Sequence, residues 1–335
     1  MNIKDIAKLA NISKSTVSRV INNDPKVHKD TREKILQIIK NESFIPNNIA
    51  KSLKTKKTKV IGILVPDIGN PFYYEILRGI ESLLDKNNFN MMLCNTEYDS
   101  KKELKYISLL MSKKVDGIII APSSSISKGV NLLYEKNIPF VVLDIIQDYI
   151  KTNCVLVNHF KVSYSATSYL LKNGHKEIFI LDAYRENKSL SNFRNGFIEA
   201  MKENKILIKD YYLNEASPDI IGGYKTLKKI INSKYNITAI ITICDLAAVG
   251  VYKAAKELGV TIPDDISVIG NDDIPLARYL NPSLTTTRQP KFKLGYKSAE
   301  ILLDCIKNEN FNKENVKIYE LDTKLMIRDS IKRRI

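Results

Sequence analysis

The chain has little of what metalloenzymes, redox proteins and exported proteins are built on. Its four cysteines, Cys94, Cys154, Cys244 and Cys305, stand far apart in 335 residues, in neither a metal-ligand nor a redox spacing. Buried free thiols are the default for such cysteines. The three histidines, His28, His159 and His175, are isolated, and His175 in "NGH" falls at a helix-to-strand turn where a structural role is expected. There is no Gly-rich phosphate loop and no nucleophile motif. The adjacent acids Asp264-Asp265 and Asp272-Asp273 suit structural or ligand-binding roles better than catalysis. The expectation is no metal, no cofactor and no enzymatic reaction. No apolar segment follows the start and no apolar run reaches membrane-spanning length. That predicts no signal peptide, no membrane partner and a cytoplasmic location.

What is abundant is positive charge, and it is unevenly spread. The chain carries 52 Lys/Arg against 37 Asp/Glu, a formal +15. Counting from the sequence, residues 1–58 hold 13 Lys/Arg and 5 Asp/Glu, so 13 − 5 = +8, about half the excess in about a sixth of the length. Within that stretch, "NIKDIAKLANISKSTVSRVINN" sets Ile6, Leu9 and Ala10 at helical spacing, then Val17, Val20 and Ile21, with "NIS" as a tight turn between. Asn2 and Ser13 are expected N-caps, and Asp30 with Glu33 resembles a capping box for a third helix over about 31–41 that turns Ile35, Ile38 and Ile39 inward. Two short helices and a turn form the helix-turn-helix pattern. Three short helices alone are an ordinary bundle. A concentrated basic charge on them is the footprint of a phosphate-binding surface.

The second helix then acquires roles. A recognition helix presents its N-terminal residues to base edges in the major groove; here those are Lys14, Ser15, Ser18 and Arg19. Arg19 suits a bidentate contact to guanine, and Lys14 a guanine or a phosphate. Thr16, Val17, Val20 and Ile21 pack the helix or touch the backbone. Lys4, Asn22 and Lys26 are expected at phosphates, which position the protein without reading sequence. Asn2, Ile3 and Ser13 complete the candidate DNA-contacting set.

From Lys59 onward the pattern alternates short apolar strands with amphipathic helices: "KVIGILVP", "PFYYEILRGIESLLDKNN", "FNMMLCNT", "KELKYISLLMSKK", "VDGIIIAP". A second series begins near Asn153. Such alternation implies parallel sheets flanked by helices. Two such halves resemble the periplasmic-binding-protein architecture, with a cleft at the carboxyl ends of the strands.

"KDIAKLANISKSTVSRVINN", "FIPNNIAKSLKTKKTKVIGILVPDIGNPF", "NGHKEIFIL", "GVTIPDDISVIGNDD", "LTTTRQP" and "LMIRDS" together are similar to the lac repressor (LacI/GalR) family of bacterial transcription regulators, over essentially the whole chain. The resemblance implies an all-α helix-turn-helix DNA-binding domain at 1–45, a hinge helix at 46–58, and a two-lobed α/β effector-binding and dimerisation domain at 59–335. Lobe 1 is expected at about 59–157 and 290–318, lobe 2 at about 158–288 and 319–330, with crossings near 157, 289 and 318. Alone, 45–58 reads as a flexible basic linker. The family implies a helix that forms on operator DNA and drives a leucine wedge into the minor groove, here Leu53 with Ala50 allowing close approach and Asn47 beside them. Lys51 stands where arginine is frequent, which keeps charge but loses the planar fork.

The same resemblance places Asn70, Phe72, Tyr73, Asp144, Asp272 and Gln289 at an effector cleft. A carboxylate flanked by aromatics suits polyhydroxylated or heterocyclic ligands. Three departures accompany the match. Phe193 stands where an arginine is frequent and Arg194 is one position off; Cys244-Asp245 replaces an asparagine-aspartate pair; Asn271 replaces an aromatic. Phe193 and Arg194 are still counted with the cleft, Phe193 as an apolar wall. The loss of hydroxyl-binding groups weighs against a typical monosaccharide.

The implied function is a repressor on a pseudo-palindromic operator, paired with itself as a homodimer and controlled by a small effector, a sugar or related metabolite. The chain ends without a leucine heptad tail, which predicts dimers rather than tetramers. The alternatives are a regulator under a protein corepressor, of the catabolite-control kind, and a solute-binding protein, which the basic helical head argues against. Leu53→Ala is expected to weaken operator binding more than random-duplex binding in gel-shift titrations, because only a kinked complex uses the wedge; equal losses on both duplexes would remove the hinge assignment.

Overall fold

Asn2 opens the first helix with a reciprocal cap: its Oδ1 accepts from Lys4 N at 2.8 Å and Asp5 N at 3.3 Å, and Asp5 Oδ2 accepts from Asn2 N at 2.7 Å. The protein is described here by a computed structural model covering residues 2–21, 24–42, 44, 57–124, 126–147, 149–183, 191–233, 235–307 and 316–334. It divides into two compact units, Met1–Thr58 and Lys59–Ile335.

In the first unit, α1 (Ile3–Ala10) ends at Asn11, whose left-handed backbone (φ 55°) turns the chain toward α2 (Lys14–Ile21). Ser13 caps α2, its Oγ accepting from Thr16 N at 3.1 Å. The third helix, α3, spans Lys29–Asn41, two residues earlier than expected. It starts after His28 with no side-chain cap, and Asp30, already inside the first turn, does not form the expected box. Ile6, Ala7, Ala10, Val17, Val20, Ile35 and Phe44 make the core, with Ile38 and Ile39 packed on it. Leu9, in phase with Ile6 by sequence, is 55% exposed; on so short a helix Ala7 completes the buried stripe instead.

The second unit holds two sheets. In the first, β1 (Val60–Val65), β2 (Asn90–Asn95), β3 (Gly117–Ile120), β4 (Phe140–Leu143), β5 (Cys154–Val157) and β11 (Ile318–Leu321) lie in the order β11-β5-β4-β3-β1-β2, every pair parallel. In the second, β6 (Ile178–Ala183), β7 (Leu213–Ala216), β8 (Ala239–Thr242), β9 (Ser267–Asp272), β10 (Thr285–Arg288) and β12 (Lys324–Met326) run β12-β10-β9-β8-β6-β7, parallel except for the β10–β12 pair. Continuous apolar strands such as "VIGILV" are buried on both faces, as parallel sheets require.

Helices α4 (Pro71–Lys86), α5 (Ser100–Ser112), α6 (Lys128–Glu135) and α11 (Lys291–Lys307) belong to the first lobe; α7 (His159–Lys172), α8 (Ser191–Glu203), α9 (Ile220–Asn232) and α10 (Asp245–Leu258) to the second. Asn70, Asp99, Ser127, Asn158 and Asp219 cap the helices that follow the carboxyl ends of strands. Polar caps are thereby concentrated along one edge of each sheet, where the site lies.

The chain passes from the first sheet to the second after β5 and returns between β10 and α11. It leaves again only after Leu321, because the register from Ile318↔Cys154 to Leu321↔Val157 holds β11 in the first sheet. The crossing expected near 318 therefore comes a few residues later. The second lobe also runs past 330: Arg334 N donates to Asn173 O at 2.7 Å. Its partner in that closure is His175, fully buried, with Nε2 on Lys332 O at 2.8 Å and Nδ1 on Thr238 Oγ1 at 3.0 Å.

Helices α4 and α11 touch backbone to backbone through Gly79 and Gly295. A Cβ on Gly295 would sit 1.9 Å from Ile76 O, and one on Gly79 2.1 Å from Phe292 O. Gly→Ala in an exposed helix stabilises by about 1 kcal/mol. Here the sign reverses: Gly295→Ala is expected to cost about 1–3 kcal/mol in denaturant unfolding. A second expectation concerns pH. Burial lowers the His175 imidazole below its ordinary 6.5, outweighing the bond to Lys332 O, with Arg334 adding to the fall. The unfolded chain then binds the extra proton first, so stability is held above about pH 6.5 and lost as pH drops below it. His175→Gln should flatten that acid-side decline in urea titrations between about pH 7 and about pH 5.

Candidate functional site

The first unit offers an exposed polar helix face. Lys14, Ser15 and Arg19 are exposed on α2, Ser18 is half-buried, and Val17 and Val20 point into the core. Ser13 Oγ bonds Ser15 Oγ at 2.7 Å and Thr16 Oγ1 at 2.8 Å, tying the first turn into one polar cluster. Arg19 lies 4.0 Å from Asp24, an exposed pair of little strength. Asn2, Lys4 and Lys26 are exposed, and Ile3 is half-buried. Asn22, Asn47, Ala50 and Leu53 fall outside the described residues.

The second unit holds a cavity of about 890 Å³ between the carboxyl ends of its two sheets. Six expected residues line it: Asn70, Phe72, Tyr73, Asp144, Asp272 and Gln289. Asn70 Oδ1 caps α4 through Phe72 N at 2.9 Å, so its side-chain NH2 is what it has to offer a ligand. Phe72 and Tyr73 meet edge to face, centroids 5.1 Å apart.

Phe193 does not line the cavity. It is 2% exposed, on the face of α8 that also buries Phe197 and Met201, inside the second-lobe core. Spacings of four residues, from Phe193 to Phe197 and on to Met201, put all three on that face, so the position that matches the family arginine is committed here to the core. Arg194 is also absent from the lining. It pairs with Glu215 at 2.5 Å and Asp182 at 3.8 Å, and it reaches the cavity only by holding Glu215, which is in the wall.

Several wall residues escaped the sequence analysis. His159, taken as isolated, places Nε2 2.9 Å from Asp144 Oδ1. Its signal was the Asn158 cap after β5, which fixes the next residue at a strand's carboxyl end. Asn271, noted as a lost aromatic, donates Nδ2 to Ile243 O at 3.0 Å and turns Oδ1 to no protein partner. Glu97 and Tyr98, both with positive φ (55° and 57°), form a strained corner after β2. Ser123 is held by the buried Glu103, which accepts from Ser123 N at 3.0 Å and from Ser127 Oγ, and Ser124 by Gln147, whose Nε2 donates to Ser124 O at 3.3 Å.

Beneath the cavity lies a compensated charge cluster. Burial pushes the Asp272 carboxyl up, and the nearby Asp245 adds to it. Burial raises Asp245 likewise, against hydrogen bonds from Thr286 Oγ1 at 2.6 Å and Ile274 N at 2.8 Å. Asp272 Oδ1 accepts from Gln289 Nε2 at 2.9 Å. Lys291, at the start of α11, donates to Asp272 O and, at 3.1 Å, to Asp273 O. Burial also pushes Asp273 up, but bonds from Arg328 and Arg288 outweigh it and hold this carboxylate below its ordinary range. Burial, then the charge of Asp272, raises the Cys244 thiol. Among the described residues no group of three or more His, Cys, Asp or Glu side chains is placed to hold a metal ion, and no helix is long and apolar enough to cross a membrane.

Two family profiles match the chain: "Bacterial regulatory proteins, lacI family" over residues 2–47, and "Periplasmic binding proteins and sugar binding domain of LacI family" over 58–328. The chain is 36% identical over 329 residues to the ribose operon repressor of Haemophilus influenzae, covering 98% of each. It is 35% identical over 331 residues to the HTH-type transcriptional repressor PurR of Histophilus somni, again covering 98% of each. Among solved structures it resembles a LacI family transcriptional regulator from Enterococcus faecium with bound ribose, at 33% identity and TM-score 0.72, over 82% of this chain and 100% of that one. The lac repressor dimer bound to operator and the anti-inducer ONPF shares the fold at TM-score 0.85 and 24% identity, over 98% of each chain. With both profiles matched and relatives more than a third identical from end to end, the chain belongs to the LacI family of bacterial transcriptional regulators.

Proposed function

We propose that the chain is a dimeric repressor that reads a pseudo-palindromic operator through α2 and answers to a neutral, polyhydroxylated small molecule, a free pentose in the first instance, in the cavity between its lobes. One observation carries the choice of effector. The described lining contains five carboxylates and no lysine or arginine. Each carboxylate already has a partner: Glu97 with Lys102 at 2.6 Å, Asp144 with His159, Glu215 with Arg194, Asp219 with Gly222 N at 2.7 Å, and Asp272 with Gln289. Meanwhile three buried acceptors, His159 Nδ1, Asn271 Oδ1 and Gln289 Oε1, have no donor. Sugar hydroxyls supply donors without bringing charge. A phosphorylated sugar would instead bring negative charge to a lining with no lysine or arginine to receive it, where each like-charge pair 4 Å apart near a protein surface costs about 4 kcal/mol.

The relatives support the same choice, one being named a ribose operon repressor and one structural neighbour holding ribose. Asn271 and the amide of Gln289 stand in for hydroxyl-binding groups the family pattern places elsewhere. For the DNA-reading unit, the support is the exposed, basic first turns of α2 over an apolar core. An effector alters operator affinity only if it prefers one lobe arrangement over the other.

The test joins the two halves. Full-length protein is used to select duplexes from a random pool at fixed salt, and affinity for the winner is measured with D-ribose or with ribose 5-phosphate. The expected result is a pseudo-palindrome whose affinity shifts with D-ribose and not with the phosphate. A response to the phosphate alone, or to neither sugar, would reject the neutral-pentose effector. Binding without sequence enrichment would reject the autonomous operator reader.

A further inference from the structure

We infer that His159 is a ligand-contacting residue that sets specificity in the cavity: its Nδ1 accepts a hydrogen bond from a ligand hydroxyl, while its Nε2–H is committed to Asp144. The inference rests on the small-molecule effector proposed above and goes beyond it by naming the atom and its polarity.

The backbone that carries His159 is fixed from both lobes. Asn158 caps α7, its Oδ1 accepting from Lys161 N at 3.0 Å, and its Nδ2 donates to both oxygens of Glu320 on β11 at 3.2 Å. Lys161 Nζ adds a 3.1 Å contact to the same carboxylate. His159 therefore stands at a pinned position where the chain leaves the first sheet. Opposite it, Asp144 follows β4 with a positive φ of 64°, and its Oδ1 lies 2.9 Å from Nε2.

A carboxylate oxygen only accepts, so Nε2 carries the proton. In a neutral ring that leaves Nδ1 bare, as an acceptor. Nδ1 is buried and meets no donor within the protein, although the side chain itself lines the cavity. A ligand O–H is the group of matching chemistry. Asn271 Oδ1, on β9 of the same lobe, and Gln289 Oε1, where the chain returns to the first lobe, present the same polarity, so the wall asks its ligand for donors at separate points. A site built to bond a hydroxyl discriminates strongly against an analogue that lacks it.

The competing role is a latch that merely ties β4 to α7. Two substitutions separate the roles. His159→Gln keeps an N–H near the Nε2 position for Asp144 and removes the Nδ1 acceptor. His159→Asn keeps an acceptor oxygen near Nδ1 and cannot reach Asp144. In calorimetric titrations of the full chain with D-ribose, His159→Gln is expected to bind about tenfold or more weakly, and His159→Asn to stay nearer the unsubstituted protein. The reverse order, or equal affinities in both variants, overturns the inference alone. No heat with the unsubstituted protein overturns the pentose effector and this inference with it. NMR of the unsubstituted chain with isotope-labelled histidine adds a ligand-free check, with His159 expected as the Nε2–H tautomer. A proton on Nδ1 instead overturns the inference whatever the ligand.

Discussion

Carboxylates cannot be buried alone, and three of them, Asp245, Asp272 and Asp273, lie under the cavity floor at the ends of β8 and β9. Everything around them is arranged to make that burial tolerable. Asp245 is bonded from β10 and from the turn after β9; Asp273 takes two arginines, one from β10 and one from the C-terminal segment. Lys291 reaches in from the first lobe to the carbonyls of Asp272 and Asp273. Unpaired buried charge would cost several kcal/mol. The cluster therefore dictates which strands must be neighbours and where the chain returns to the first lobe. Asp272 is left with its backbone at φ 125° and its carboxyl raised by burial, held in the cavity wall by Gln289.

The cavity inherits its character from this balance. Its acids are each answered by a partner, so it is polar without being strongly charged. Arg194 shows how narrow the margin is. Two residues before Gly196 rather than three, it spends its guanidinium on Asp182 and Glu215, while Phe193 takes the inward slot. A shift of one position on a helix is a rotation of about 100°. That rotation separates Arg194, held by its two acids, from Phe193, buried in the second-lobe core.

Much of this was legible in the sequence. Alternating apolar runs and amphipathic helices revealed two parallel α/β halves, and the strand-end motifs located Asn70, Phe72, Tyr73, Asp144, Asp272 and Gln289 around one cavity. These residues are adjacent to strong local signals: a Pro at a helix start, an acid closing an apolar strand. What escaped depends on helix phase or long-range pairing. Phe193 needed the phase of α8. His159 and Asp144 are fifteen residues apart in sequence, and no local pattern announces their contact. Asn271 stands where the family pattern has an aromatic, and only the fold brings its amide to Ile243 O. The early start of α3 and the exposure of Leu9 reflect how weakly short helices fix their ends and stripes.

The backbone contact at Gly79 and Gly295 has a mechanical consequence. Helix α11 begins at Lys291, beside the buried acids, and runs 17 residues to Lys307. Seamed against α4 without intervening side chains, it acts as a rod about 25 Å long. Its near end rests on the cavity floor, and its far end packs through Ile306 into the first-lobe core before reaching an exposed Lys307. A rod so held cannot absorb a displacement by bending at the seam; motion imposed at Gln289–Lys291 must be carried along its length, and the pair of helices turns as one lever.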